Sequence, residues 1–116
     1  MHELTVTKNI FQIVHKHAQR SRVQRVVAVN LEIGALSDLH AVWLQRYFDH
    51  LSRGTEVEGA KLNINRIPAV FRCRSCGQLF EINSLLEEDL LCSHCQSKAI
   101  TLVSGREYRV KSMEAV

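Results

Sequence analysis

The residues with the clearest chemical potential are four cysteines arranged as two Cys-x-x-Cys pairs. Cys73 and Cys76 form the first pair, Cys92 and Cys95 form the second, and fifteen residues separate the pairs. Each pair lets two thiolates face one point about 2.3 Å away, and two pairs complete the tetrahedron that Zn(II) adopts in structural sites. Because protein ligands fill every position, such a site has no room for a substrate. The spacing therefore predicts a structural zinc site.

Two other uses of the cysteines stay open, namely a pair of redox-active dithiols and a pair of structural disulfides. Disulfides need an oxidising compartment, but the N-terminus has no basic region followed by an apolar one, as a secretory signal would. No apolar stretch approaches the roughly 18 residues of a membrane span. We therefore expect a cytoplasmic protein with reduced thiols and no membrane partner.

Met1, His2 and Glu3 offer a second set of metal donors. A histidine at position 2 lets the terminal amine, the His2 amide nitrogen and the imidazole chelate one ion, with Glu3 available as a fourth donor. Deprotonated amide nitrogens suit the tetragonal geometries of Ni(II) and Cu(II), whereas Zn(II) has no such preference. From these residues alone, a polar chain end without a function is the simpler interpretation.

The internal histidines are weaker candidates for metal ligands. His94 lies between two cysteines and could replace a thiolate, although a histidine exposed on the turn is the simpler interpretation. The other four are spread over two helical segments, where solvated or capping histidines are common: His15, His17, His40 and His50.

Two amphipathic helices are predicted from apolar residues at helical spacing. The first extends from Leu4 to Ala18. The second follows Ser37 as its N-cap, has Asp38 in its first turn and ends at Gly54. Its buried face is expected to contain Leu39, Val42, Trp43, Tyr47, Phe48 and Leu51.

Strands are predicted where apolar and polar residues alternate, at 27–33 and at 60–65, the second of them closed by Pro68. Beyond residue 99, apolar positions on both sides of a turn at Ser104-Gly105 predict one more strand that pairs with the first two. The expected fold is α+β, with two helices on a small, about three-stranded sheet and an inserted rubredoxin-like or zinc-ribbon module that carries the cysteines.

The domain organisation is inferred from a change of composition near residue 70. Residues 1–69 plus 104–116 are expected to form the mixed α/β domain, and residues 70–103 the zinc-binding domain. A module of about thirty residues buries too little apolar surface to fold alone, so metal binding is expected to supply its folding energy. Its small core is expected to contain Phe71, Leu79, Phe80 and Leu91.

Charge and motifs limit the function classes. The net charge of +3 is too small to indicate nucleic-acid binding, and residues 70–104 contain three basic and four acidic side chains. A zinc-ribbon nucleic-acid binder or adaptor is kept as the alternative. It would use the basic residues Lys16, Arg20, Arg22, Arg25, Arg72 and Arg74. We expect no enzyme, because no catalytic constellation or phosphate-cradling glycine loop stands out.

Several short blocks occur in a characteristic order. They are Met1-His2-Glu3-Leu4, the run 31–37 (LEIGALS), the segment 54–60 (GTEVEGA), the paired Cys-x-x-Cys module and the late turn 104–107 (SGRE). In order and spacing, over nearly the whole chain, these blocks resemble the HypA/HybF family of hydrogenase nickel-insertion accessory proteins.

The resemblance implies a metallochaperone that carries Ni(II) to the large-subunit precursor of [NiFe]-hydrogenase, with a HypB-type GTPase as partner. In some organisms the family also serves urease maturation. It places nickel on the Met1 amine, His2 and Glu3, and zinc on the four cysteines. Some relatives have a histidine directly after a Cys-x-x-Cys pair, but Gly77 and Gln96 stand there in this chain, so zinc-ligand switching is not implied. Monomer and homodimer both stay open.

Overall fold

The computed structural model describes residues 3–82 and 90–116, which form two helices and six strands. In chain order these are α1 (Glu3–Ser21), β1 (Val26–Gly34), α2 (Ala41–Leu51), β2 (Lys61–Ile67), β3 (Ala69–Cys73), β4 (Leu79–Ile82), β5 (Ile100–Ser104) and β6 (Tyr108–Ala115). The strands make two three-stranded sheets, with the orders β2-β1-β6 and β4-β3-β5. The predicted α+β class is thereby confirmed. Neither described helix is long and apolar enough to cross a membrane.

The chain divides into two compact units. Unit 1 comprises Met1–Glu32, Asp38–Asn65 and Arg109–Val116, and unit 2 comprises Ile33–Ser37 and Arg66–Tyr108. Both helices belong to unit 1, and the four cysteines belong to unit 2. The predicted division into a nickel-binding domain (1–69 plus 104–116) and a zinc-binding domain (70–103) stays a prediction.

The core of unit 1 forms where α1 and α2 pack together. Val6, Ile10, Val14 and Ala18 recur every fourth residue of α1 and are all buried, so they form one continuous apolar face. The ring of Phe48, which is fully buried in α2, meets an α1 ring edge to face at a centroid distance of 6.2 Å. This packing joins the two helices of unit 1.

The sequence-based description of α2 was wrong in two respects. The helix begins at Ala41 after His40, with no side-chain hydrogen bond at the cap, because Ser37 instead closes a turn after β1 by donating its N–H to the Gly34 carbonyl at 3.0 Å. The buried face consists of Leu44 and Phe48. Val42 and Trp43, predicted to be buried, are 61% and 45% exposed.

Unit 2 has its own small core around β3, which pairs antiparallel with β4 and with β5. Phe71 of β3 lies opposite Phe80 of β4, and their rings stack with centroids 5.8 Å apart. The buried residues are Ala69, Phe71, Cys73, Phe80, Ile82 and Cys92. Leu79 was wrongly predicted to be buried, since it is 49% exposed, and Leu91 is only partly buried.

The strands after residue 99 serve two different sheets, which the sequence did not reveal. One further strand, β6, joins β1 as predicted, whereas β5 pairs with β3 in the cysteine-bearing unit. The turn between them is held by the carboxylate of Glu107, which accepts the N–H groups of Gly105 and Arg106 at 2.6 and 3.0 Å. These bonds hold the pKa of Glu107 below its ordinary value.

Gly34 lies against this turn and supplies the first testable prediction. A Cβ at position 34 would stand 2.0 Å from the carbonyl oxygen of Gly105, closer than any relaxed contact allows. That oxygen also accepts the N–H of Leu36 at 2.9 Å, so a shift of the turn away from the new Cβ would weaken this hydrogen bond. We expect Gly34→Ala to lower the free energy of unfolding by about 3 kcal/mol in urea titrations.

Gly54→Ala is the matched control, because a Cβ at that position meets no atom within 4 Å. Its φ of +76° makes the substitution cost about 1 kcal/mol through backbone strain alone. Equal losses for the two variants would contradict the close approach at Gly34.

Candidate metal centre

The first cysteine pair lies on a tight turn at the end of β3. Cys73 donates its N–H to the Gln78 carbonyl at 2.9 Å, and its own carbonyl accepts the N–H of Gly77 at 2.8 Å. The N–H of Cys76 points to the Cys73 sulfur, 3.4 Å away. Gly77 has a φ of +77°, the left-handed conformation that this turn needs. The turn thus directs both thiols to one side.

The second pair repeats this geometry. Cys92 donates to the Ser97 carbonyl at 3.0 Å and accepts the N–H of Gln96 at 2.8 Å, while the N–H of His94 lies 3.3 Å from the Cys92 sulfur. Gln96 has a φ of +61°, so it adopts the left-handed conformation that glycine takes in the first turn. Two equivalent turns therefore present two thiols each.

The two turns bring all four sulfurs together. The Sγ atoms of Cys73 and Cys95 are 3.5 Å apart, those of Cys76 and Cys92 are 3.6 Å apart, and all four lie within 4.8 Å of one another. Each turn contributes one buried cysteine, Cys73 or Cys92, and one exposed cysteine. The sulfur separations exceed the roughly 2.05 Å of a disulfide bond, and the cysteines are free. The four sulfurs are therefore close enough to one another to share one metal ion.

Backbone and side-chain bonds tie the turns to each other. Cys73 of β3 pairs with Ile100 of β5. The next residues continue this pairing, since the N–H of Arg74 donates to the Ala99 carbonyl at 2.7 Å. The hydroxyls of Ser75 and Ser97 lie 2.9 Å apart. Strand pairing therefore fixes the position of the second turn relative to the first.

Electrostatics within the cluster favour a bound cation. The N–H of Cys76 is the main reason why the pKa of Cys73 falls to about 6. The N–H of Ser97 favours the Cys95 thiolate, but the nearby sulfurs and burial outweigh it and raise the pKa of Cys95 to about 12. Near neutral pH this sulfur pair therefore keeps one proton, because two adjacent thiolates repel each other. A divalent cation removes that repulsion, and four thiolates are the donor set of structural zinc.

The remaining predicted ligands lie elsewhere. Met1 and His2 fall outside the described residues. Glu3 is the first described residue, with its side chain buried at the start of α1 and its carbonyl accepting the hydroxyl of Thr7. Over residues 3–82 and 90–116, the four cysteines are the only group of three or more His, Cys, Asp or Glu side chains close enough to share an ion. His94 is exposed and is not part of that group.

Sequence reasoning missed the environment of His15, which was expected to be solvated or capping. Its ring stacks on Phe11 at a centroid distance of 5.2 Å, and its Nδ1 atom lies 2.6 Å from a carboxylate oxygen of Glu56. The two residues are 41 positions apart in the chain, so no local pattern could have paired them. The other histidines of the helical segments, His17, His40 and His50, are exposed as expected.

Comparison with known proteins places this geometry in a family. A sequence model described as HypA, a metallochaperone of hydrogenase/urease nickel incorporation, matches residues 1–115. The hydrogenase maturation factor HypA of Nostoc sp. is 41% identical over 98% of this chain and 95% of its own. The factor of the same name from Geobacter metallireducens is 37% identical over 98% of both chains.

The fold agrees with a solved structure. The solution structure of the nickel metallochaperone HypA from Helicobacter pylori covers all of this chain and 98% of its own, with a TM-score of 0.67 and 24% sequence identity. That identity supports a common fold, while the sequence matches supply the family. Taken with the resemblance of the sequence blocks, they show that the chain belongs to the HypA family of nickel metallochaperones for hydrogenase maturation.

Proposed function

We propose that this chain is a carrier, not an enzyme, which binds Ni(II) at its N-terminus and delivers it for insertion into the large subunit of [NiFe]-hydrogenase. The observation that carries the proposal is the match to the HypA family over residues 1–115. The partners that follow are a HypB-type GTPase and the hydrogenase precursor in the cytoplasm, with urease maturation proteins as further clients.

The proposed nickel ligands are the Met1 amine, His2 and Glu3. A terminal chelate suits a cargo ion because its donors can be displaced one at a time, starting with protonation of the imidazole or of an amide. The described part of the chain supports this choice indirectly, since it offers no second cluster of ligand side chains besides the cysteines. Glu3, the last residue of the proposed chelate, begins α1 and is buried.

The proposed zinc ligands are Cys73, Cys76, Cys92 and Cys95. Zinc held by four thiolates is coordinatively closed, so it supplies folding energy and no reactive position. With these ligands, residues 70–103 form the zinc domain, and residues 1–69 plus 104–116 form the nickel domain. The support is the cluster of four sulfurs within 4.8 Å of one another.

Delivery can be tested in a hydrogenase-producing bacterium whose own gene for this family is deleted. The native chain is expected to restore nickel in the large subunit, measured by elemental analysis of the purified protein. His2→Ala is expected to lower that nickel content about 10–100-fold, because even residues that only support metal ligands cost this much. Excess nickel in the medium is expected to restore the variant in part.

His50→Ala provides the control, because His50 is an exposed histidine of α2 outside the proposed chelate. It is expected to support full nickel insertion. Normal insertion with His2→Ala at limiting nickel would overturn the delivery proposal, whereas poor insertion with both variants would indicate a general folding defect.

A further inference from the structure

An open groove of about 340 Å³ lies between α1 and β6, entirely within unit 1. One face of α1 forms its first wall, with Ile13, Lys16 and Arg20 at the spacing of successive helical turns. The second wall comes from β6 and includes Lys111 and Met113. The four cysteines do not line this groove.

The groove combines apolar surface with uncompensated positive charge. Ile13 is 53% exposed there, although it lies on a helix whose other apolar positions are largely buried. Lys16, Arg20 and Lys111 are exposed, and no acidic side chain is among the described residues that line the groove. None of the three cations forms an ion pair with another residue of 3–82 or 90–116. Such a surface attracts a negatively charged ligand that also has apolar groups.

Its second wall is the edge of a sheet. β6 is the outer strand of the order β2-β1-β6, and within the described ranges no strand pairs with its other side. Open edges display unpaired N–H and C=O groups, and an extended peptide can satisfy them by adding one more strand. A groove beside an open edge therefore favours an extended segment over a helix.

We propose that this groove docks an extended acidic segment of a partner protein, which pairs with the edge of β6. Its apolar side chains cover Ile13 and Met113, and its carboxylates face Lys16, Arg20 and Lys111. This inference goes beyond the proposed function and needs neither the nickel chelate nor the zinc site.

Charge complementarity favours an acidic peptide segment over a second copy of this chain and over a nucleic acid. A second copy of the chain would place one Lys111-bearing edge against another, so like charges would oppose the pairing. A lysine at an edge strand also discourages self-association, but that role does not explain the exposed Ile13 beside it. A nucleic acid would satisfy the cations through its phosphates and leave the apolar surface of the groove uncovered.

The test uses the full chain and the synthetic peptide Val-Glu-Glu-Val-Val-Glu-Glu-Val, blocked at both ends, because this order gives each face of an extended strand both apolar and acidic side chains. Binding is measured by fluorescence anisotropy and located by amide chemical-shift changes, which are expected in α1 and β6. The double variant Lys16→Glu/Lys111→Glu is expected to weaken binding at least tenfold, which corresponds to about 1.4 kcal/mol. N-methylation of the central valines removes backbone donors and is expected to weaken binding to a similar extent.

Lys8→Glu is the matched control, since Lys8 is an exposed lysine of α1 outside the groove, and it is expected to change affinity less than twofold. Should the double variant lose its dispersed amide spectrum, Lys16→Gln/Lys111→Gln replaces it with the same expected direction. Equal binding by the groove and control variants, equal binding of the N-methylated peptide, or no binding at millimolar concentration would overturn the proposal. Stronger occupation of the groove by an eight-nucleotide single-stranded RNA would overturn it in favour of nucleic acid.

Discussion

Removing the metal from the full chain with a chelator, or replacing Cys73 by Ser, is expected to unfold unit 2 while α1 and α2 persist. Two of the six residues in the core of unit 2, Cys73 and Cys92, are themselves proposed zinc ligands. Zinc binding in small structural sites contributes about 10–16 kcal/mol, as much as the whole stability of an ordinary domain, about 5–15 kcal/mol. The remaining contacts of this core are too few to replace that contribution.

Amide NMR spectra measure the effect residue by residue. Signals of β3, β4 and β5 are expected to collapse into the narrow range of unfolded chains, whereas those of α1 and α2 stay dispersed and the helical circular dichroism persists. Ser75→Ala is the matched control, because it changes an exposed side chain of the first turn without removing a sulfur. Dispersed β3 and β4 signals in the metal-free chain would show that the cysteine cluster does not support the fold.

The cluster itself could be predicted because its information is local. A Cys-x-x-Cys turn positions two sulfurs through hydrogen bonds between residues only five positions apart, Cys73 with Gln78 in one case and Cys92 with Ser97 in the other. The last turn residues were less evident, since Gly77 and Gln96 take the same left-handed conformation although only glycine adopts it readily. The four-residue spacing of Ile10 and Val14 similarly defined the buried face of α1.

Properties that depend on distant residues could not be predicted from such patterns. The partner of β5 was missed because its five residues do not encode which of two sheets they join. Ser37 is a residue type that often caps helices. In this fold its N–H instead bonds the carbonyl of Gly34, which packs against Gly105 from a distant part of the chain. The contact of His15 with Glu56 and the groove beside β6 likewise arise only when separate segments pack together.

Nickel binding by the untagged native chain is expected to show one ion per chain, and loss of the terminal chelate is expected to weaken it about 100-fold with zinc retained. Two changes remove the chelate in different ways. His2→Ala deletes the imidazole, whereas a three-residue N-terminal extension leaves every native side chain in place and moves the free amine away from His2. A single added residue is unsuitable, because it would create a new chelate with the histidine in third position.

Calorimetry and visible absorption distinguish the donors in this experiment. Amide-nitrogen ligation of Ni(II) in a tetragonal field gives a d–d band that the extended chain should lack, even where residual binding persists. His17→Ala should bind as the native chain does, since its imidazole lies on an exposed face of α1. If the extended chain and His2→Ala both bind nickel with native affinity, the ion is held elsewhere. Because the described part of the chain gathers no ligand side chains except the cysteines, competition between nickel and zinc at that cluster would then be the next measurement.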